Sequence, residues 1–204
     1  WDSADVAGNV SATTVNTTPS ETGPAPGALV SVSQITVPDN VTDETATMQF
    51  RADATQIEEL GATTDDLRVY RFADDEWQQI DTTVVEESNG SLEFQAETPG
   101  FSYFAVNAVS EPEAAAAVDP GTVSAGDEVT LDGSGSTDEY GEIVAYDWSV
   151  AGESLSGESA TATIDETGEY AVELTVTNDA GETDTATADL VVGSGTDAGD
   201  GATG

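Results

Sequence analysis

Between residues 128 and 192 the apolar side chains fall on every second position. Val129 and Leu131 alternate with polar neighbours, as do Val144, Tyr146, Trp148 and Val150. Ala160, Ala162 and Ile164 follow, then Tyr170, Val172, Leu174 and Val176, then Ala186, Ala188, Leu190 and Val192. Successive side chains of a strand point to opposite faces, so a period of two keeps one face dry and wets the other. A helix needs a period near 3.6 and cannot gather these residues on one stripe. Turn formers break the runs at Asp127, Gly133-Ser134-Gly135, Gly152, Gly168 and Asn178-Asp179-Ala180-Gly181. Short strands at this spacing make a core by packing two antiparallel sheets face to face.

The same period appears earlier. Ala46, Met48, Phe50 and Ala52 alternate with polar residues, and so do Leu92, Phe94 and Ala96. Val30, Val32, Ile35 and Val37 change parity at Gln34, which reads as a bulge. Asp53-Ala54-Thr55-Gln56 reads as a capping box opening a short helix, with Ile57 and Leu60 inward and Gly61 as its stop. Residues 67–72 and 77–83 flank Asp74-Asp75-Glu76 as a hairpin, and residues 101–109 close the segment. The fold expected is all-β: two consecutive immunoglobulin-like β-sandwiches, residues 28–110 and 111–192. Trp148 on a middle strand and Tyr170 at the start of a late one match the buried tryptophan and corner tyrosine of such sandwiches. Residues 1–27, rich in Thr, Ser, Asn, Gly and Pro, have the composition of a flexible linker, and residues 193–204 that of a Gly/Asp-rich spacer. A chain that starts at Trp1 is expected to be a processed protein or a fragment of a longer one, and the terminal spacer suggests that the natural polypeptide continues.

Charge sets the medium. The 204 residues carry 41 Asp plus Glu against 3 Lys plus Arg, for a net charge of -38. Nucleic acid and anionic membrane surfaces are bound through basic patches, so both are excluded as partners. Leu, Ile, Val and Phe make up about a fifth of the chain, the edge of the range in which highly charged chains stay disordered. They concentrate in residues 28–192, which lifts that segment out of it. There is no Lys: the cations are Arg51, Arg68 and Arg71. Abundant Asp and Glu without Lys resemble proteins of extreme halophiles. At about 1 M salt the Debye length falls to about 3 Å, so neighbouring carboxylates scarcely repel. The chain is expected to fold in concentrated salt and to unfold when salt is removed. No stretch approaches the roughly 20 apolar residues of a membrane span, so direct insertion by this segment is not expected. The chain has no Cys and no His. Disulfides, a thiolate nucleophile, an imidazole base and a Ser-His-Asp triad are therefore all excluded.

Three strings carry a family resemblance. They are Val129-Thr130-Leu131-Asp132-Gly133-Ser134-Gly135-Ser136-Thr137-Asp138, Gly141-Glu142-Ile143-Val144-Ala145-Tyr146-Asp147-Trp148, and Gly168-Glu169-Tyr170 running on to Leu174-Thr175-Val176-Thr177-Asn178. Residues of about 113–192 thereby resemble a polycystic kidney disease (PKD) domain. After the tryptophan the family often continues Asp-Phe-Gly-Asp-Gly, where this chain has Ser149-Val150-Ala151-Gly152. Asp75-Glu76-Trp77-Gln78-Gln79-Ile80 and Thr98-Pro99-Gly100-Phe101-Ser102-Tyr103-Phe104-Ala105-Val106 make residues of about 28–109 resemble a domain of archaeal surface proteins named for its Pro-Gly-Phe motif, with Phe101 its structural mark. Both resemblances imply extracellular modules of multidomain surface proteins, and neither implies catalysis.

Ser136, Asp138, Tyr140 and Gly141 stand at the spacing at which some PKD-like domains hold calcium, with Asp147 near in sequence. Calcium takes 6–8 oxygen ligands. In a chain where one residue in five is acidic, a solvated loop is the competing reading; Tyr140 offers only its carbonyl, and Ser149 replaces an expected acid. No cofactor is required, and calcium is the one raised. Asn9, Asn16, Asn40 and Asn89 each open an Asn-X-Ser/Thr sequon, open both to glycosylation and to chance. The arginines read as internal partners of carboxylates, against a second reading as a patch docking an acidic neighbour. Asp65-Asp66, Asp74-Asp75-Glu76 and Glu86-Glu87 could supply a glycosidase acid and base, but no nucleophile or oxyanion motif accompanies them, and solvated turns are the simpler reading. No catalytic residue is assigned.

The function expected is a non-enzymatic structural or adhesive module of a halophilic archaeal cell-surface or filament protein, extracellular, with other surface or filament subunits as partners, copies of itself included. Val6, Val10 and Val15 suggest an N-terminal segment that pairs with a sheet edge in another subunit. The alternatives are an accessory module of a secreted hydrolase and a surface spike of a virus infecting such a host.

Overall fold

The computed structural model describes residues 11–15, 17–36, 46–88, 91–98 and 100–194. They form two units that divide between Ser110 and Glu111. Each pairs a five-stranded sheet with a three-stranded one, and the chain is an all-β, immunoglobulin-like sandwich fold.

In the first unit the strands are β1 (Ser11–Val15), β2 (Ala28–Thr36), β3 (Ala46–Asp53), β4 (Leu67–Ala73), β5 (Glu76–Ile80), β6 (Thr82–Ser88), β7 (Ser91–Thr98) and β8 (Tyr103–Ala108). The larger sheet runs β1-β2-β8-β4-β5 and the smaller β3-β7-β6. Phe50 on β3 meets Phe104 on β8 with ring centroids 5.3 Å apart, marking where the two inner faces pack. The alternation at Phe50 and Ala52 and at Leu92, Phe94 and Ala96 falls on these inner faces. Helix α1 (Ala54–Leu60) starts where the Asp53 side chain accepts the Thr55 N–H and stops at Gly61, whose φ of 77° is the left-handed cap. Ile57 is buried, but Leu60 lies 36% exposed at the last turn, not inward. The bulge of β2 falls between Leu29 and Ser31, not at Gln34: pairing with β8 is regular from Ser31 through Gln34. The β4–β5 turn holds two residues, Asp74 and Asp75, with Ala73 opposite Glu76. Glu76 is therefore the first residue of a strand.

The linker reading is corrected over residues 11–15 and 17–27; residues 1–10 lie outside the described ones. Ser11–Val15 is a strand, antiparallel to β2, with Ser11 opposite Thr36 and Val15 opposite Val32. Residues 17–27 cross the outer face of the larger sheet as a strap. Ala25 is buried against Val32 and Ala105, with Leu29 and Trp77 beside it. Composition misses this because the partners that order the strap stand on β2, β5 and β8, far along the chain.

The second unit comprises β9 (Ala117–Asp119), β10 (Thr122–Ser124), β11 (Glu128–Asp132), β12 (Ile143–Val150), β13 (Glu153–Ser156), β14 (Ser159–Thr163), β15 (Gly168–Asn178) and β16 (Thr183–Gly193). The sheets are β10-β16-β15-β12-β13 and β14-β11-β9. The chain changes sheets between β9 and β10, where the Asp119–Pro120 peptide is cis. β10 then runs parallel to β16, Val123 opposite Val192, while the other pairs are antiparallel. The core gathers Val129, Leu131, Trp148, Val150, Val172, Leu174, Val176, Leu190 and Val192, each 2% exposed or less. Val144 departs from its expected face and is 61% exposed. The β12–β15 register shifts between Ile143 and Ala145, and Ile143 packs on the core in its place. β16 reaches Gly193, which accepts a hydrogen bond from Ala125 N, so this residue is sheet and not spacer.

Candidate functional site

The loop between β11 and β12 carries most of the residues named for calcium, Ser136, Asp138, Tyr140 and Gly141. Asp138 Oδ1 accepts the Tyr140 and Gly141 N–H groups at 3.1 and 2.5 Å. Its Oδ2 accepts from Asn178 Nδ2 at 2.9 Å. Asn178, 2% exposed at the end of β15, takes the Ala180 and Glu182 N–H groups on its Oδ1. One carboxylate and one amide thus tie the 138–141 loop to the β15–β16 turn. Asp179 N donates to Glu142 O in the same region. A Cβ on Gly141 would run into Asp179 Oδ1 and lie 3.1 Å from Asp138 Oδ1, so glycine is what lets the two carboxylates close around the loop.

Of the residues named for calcium, Ser136, Asp138 and Asp147, the structure sets Asp147 apart from Asp138. Ser136 Oγ accepts the Ala115 N–H at 3.0 Å and so clamps the start of the unit. Asp147 is exposed on β12, opposite Ser156 and Thr175. It lies four residues from Ile143, which pairs with Asn178, a separation of about 13 Å along a strand. Strand geometry therefore parts residues that are close in sequence. Asn178 and Asp179, which the sequence marks only as turn formers, and Asp184, which it does not mark, are the polar residues the structure adds. The signal for Asn178 was its place ending an apolar strand run, where a buried amide must find partners. Asp184 Oδ2 accepts the Ala114 N–H at 2.8 Å. That bond, with one from the Thr185 N–H, holds its carboxyl below the ordinary range. Ser134 N–H does the same for Asp132.

Trp148 and Tyr170 are structural. Trp148 is 2% exposed, and its Nε1 donates to Gly157 O at 2.9 Å across the β12–β13 hairpin. Tyr170 OH donates to Glu166 O at 2.9 Å, four residues upstream, which fixes the corner entering β15. On the inner side of β12, burial and then the nearby Glu158 carboxylate push the Tyr146 phenol up.

In the first unit Phe101 is half-buried between β7 and β8, next to a turn in which Thr98 Oγ1 donates to Gly100 O at 2.6 Å. The four sequon asparagines, Asn9, Asn16, Asn40 and Asn89, lie outside the described residues. Arg51 pairs with Glu93 at 3.6 Å across β3 and β7, with the arginine side chain 74% exposed. Arg68 Nη1 donates to the backbone oxygens of Asp65 and Leu67. Asp65 and Asp66 sit in a single 3-10 turn whose Thr63 N–H and hydroxyl both donate to Asp66 Oδ2. An open groove of about 620 Å³ is lined by Gln79, Asp81, Gln95 and Glu97 among others.

The strap is held by three side chains reaching from two strands, Trp77 on β5 and Tyr103 and Asn107 on β8. Tyr103 OH donates to Glu21 Oε1 at 2.7 Å and accepts from Gln34 Nε2 at 3.0 Å. Trp77 Nε1 donates to Gly23 O at 3.3 Å, and Asn107 Nδ2 to Pro26 O at 2.6 Å. The hydrogen bond to the carboxylate pushes the Tyr103 phenol up and holds Glu21 down. Gly27, at φ 75°, turns the strap into β2; a Cβ there would collide with Ala108 O.

The model of the PKD domain family matches residues 109–192. Collagenase ColA of Clostridium perfringens is 42% identical over 77 residues, which are 37% of this chain and 7% of the collagenase. The chain thus spans a small fraction of that relative's length. Among solved structures, the PKD1 domain of Vibrio anguillarum Epp is 31% identical, covering 42% of this chain and 98% of its own, with a TM-score of 0.37. The PKD1 domain of the Vibrio cholerae metalloprotease PrtV is 30% identical, covering 41% of this chain and 98% of its own, with a TM-score of 0.36.

Proposed function

The chain belongs to the PKD domain family through residues 109–192, and from that premise we propose that it is a non-catalytic structural module of an extracellular surface or filament protein that folds in concentrated salt. One observation carries the reading. The polar side chains of the β11–β12 loop spend their bonds on the protein's own frame, Asp138 on Tyr140, Gly141 and Asn178 and Ser136 on Ala115, as does Asp184 of β16 on Ala114. Groups so engaged hold shape, whereas a catalytic acid or base must face a substrate proton at hydrogen-bond distance. The solvated acidic positions, such as Asp147 on β12, hold water and ions at the surface.

A second reading is favoured by the relatives. A collagenase and a metalloprotease each carry a similar domain, which supports an accessory module in a secreted hydrolase. Labelling the second unit with an antibody on intact cells of the source organism separates the two. A regular array on the cell envelope or along filaments supports the structural reading. Label confined to secreted material, in one polypeptide with hydrolase activity, overturns it in favour of the second.

A further inference from the structure

In a chain where one residue in five is acidic, the carboxylates avoid two stretches. From Val6 to Pro38 the one charged residue is Glu21, and from Thr98 to Ser110 there is none. Three neighbouring strands of one sheet, β1, β2 and β8, are therefore wholly uncharged. The outer face of that sheet continues without a carboxylate through Arg68, Tyr70 and Phe72 on β4 and Trp77 and Gln79 on β5. The occupant, β1 with the strap, carries one carboxylate, Glu21, and that accepts a hydrogen bond from Tyr103 of the receiving face. Two copies of a molecule with a net charge of -38 repel wherever acidic surfaces meet; these two complementary parts can join without opposing acids.

The connection between them is longer than the pairing needs. Antiparallel neighbours can be joined by two residues. Here residues 16–27 link β1 to β2 although Val15 stands opposite Val32, only four residues into β2. Twelve residues reach up to about 40 Å when extended, against about 13 Å along β2. The strap's anchors are single hydrogen bonds from Trp77, Tyr103 and Asn107. The same bonds form whether the strap belongs to the same chain or to another.

We propose that in the assembled protein the β2 edge and the adjoining outer face receive β1 and the strap from a second copy of this chain. The inference rests on the structural-module reading and names the contact that would join its subunits. Exchange keeps every contact of the closed form, so concentration decides between them. A flexible tether of about a dozen residues gives its own segment an effective concentration of the order of 1 mM. Closure therefore prevails in dilute solution and exchange in a dense array.

The chain has no cysteine, which allows a clean test on the full chain in molar salt. Thr14 stands opposite Ser33. Thr14→Cys and Ser33→Cys single variants are mixed, unfolded, refolded together and oxidised, and the double variant is treated alike. The expected result is a 14–33 disulfide joining unlike chains in the mixture, rising roughly tenfold or more between about 10 µM and about 1 mM. In the double variant the intramolecular link should give way to an intermolecular one over the same range. A double variant that closes on itself at both concentrations, with no linked pair in the mixture, overturns the exchange. Absence of any 14–33 link in either sample overturns the pairing and the exchange with it. Either failure leaves the surface-module reading to the labelling experiment.

Discussion

Trp148 joins packing to polarity: its ring fills the second core while its N–H satisfies Gly157 O. Replacing it by Phe keeps an aromatic ring but leaves a void and an unmet carbonyl. The expected loss is about 2–3 kcal/mol in chemical denaturation. Tyr170→Phe removes only the bond to Glu166 O and should cost about 1 kcal/mol by the same measurement. Asp184 gives a pH dependence. Its carboxyl is held low by the Ala114 N–H and then by that of Thr185. A depressed folded-state pKa contributes stability that is present above the unfolded value, near 4, and is lost as pH falls through the folded one. Melting in molar salt, where general repulsion is screened, should therefore drop below about pH 4, and Asp184→Asn should flatten that drop. Trp148 and Tyr170 were legible in sequence because each sits at a fixed place in a strand pattern. Asp184 was not: its partner Ala114 lies seventy residues earlier, and nothing local distinguishes it from the other acids.

Two hairpins use two-residue turns with both central residues at positive φ: Asp74 and Asp75 at 54° and 67°, Ala151 and Gly152 at 51° and 85°. This is the turn whose twist matches the strands it joins, and glycine suits its second position. Gly152→Ala should lower stability by about 1 kcal/mol. Asp75→Gly should raise it by about 0.5–1 kcal/mol, both read from thermal melts. The strands of the second unit were legible because its apolar period holds from Val129 to Val192. It failed at Val144, since a bulge is a backbone event that no residue type announces. The N-terminal strand was illegible for another reason. Residues 11–15, Ser-Ala-Thr-Thr-Val, show no alternation of apolar and polar residues, and β1 is ordered by the edge of β2, about twenty residues downstream.

Over the whole chain the charge bears on stability more than on recognition. The exposed positions of β15 and β16 include Glu169, Glu173 and Asp189 beside Thr183, Thr185 and Thr187, while Val172, Leu174, Val176, Leu190 and Val192 are buried. Moving the protein from molar to dilute salt should lower its melting temperature by roughly 10 °C or more, followed by circular dichroism. An unchanged melt would refute the halophilic reading. The site was less legible than the fold, because spacing along a loop does not say whether Ser136, Asp138 and Asp147 meet in space. The parallel pair of β10 and β16 has a mechanical consequence. β10 lies near the start of the second unit and β16 is its last strand. Bonds from Val191 N to Gly121 O and from Ala125 N to Gly193 O bracket their pairing. Tension applied to the two ends of this unit would slide the strands lengthwise, loading those bonds together instead of opening them one after another. This clasp is therefore loaded in shear, its bonds sharing the pull side by side.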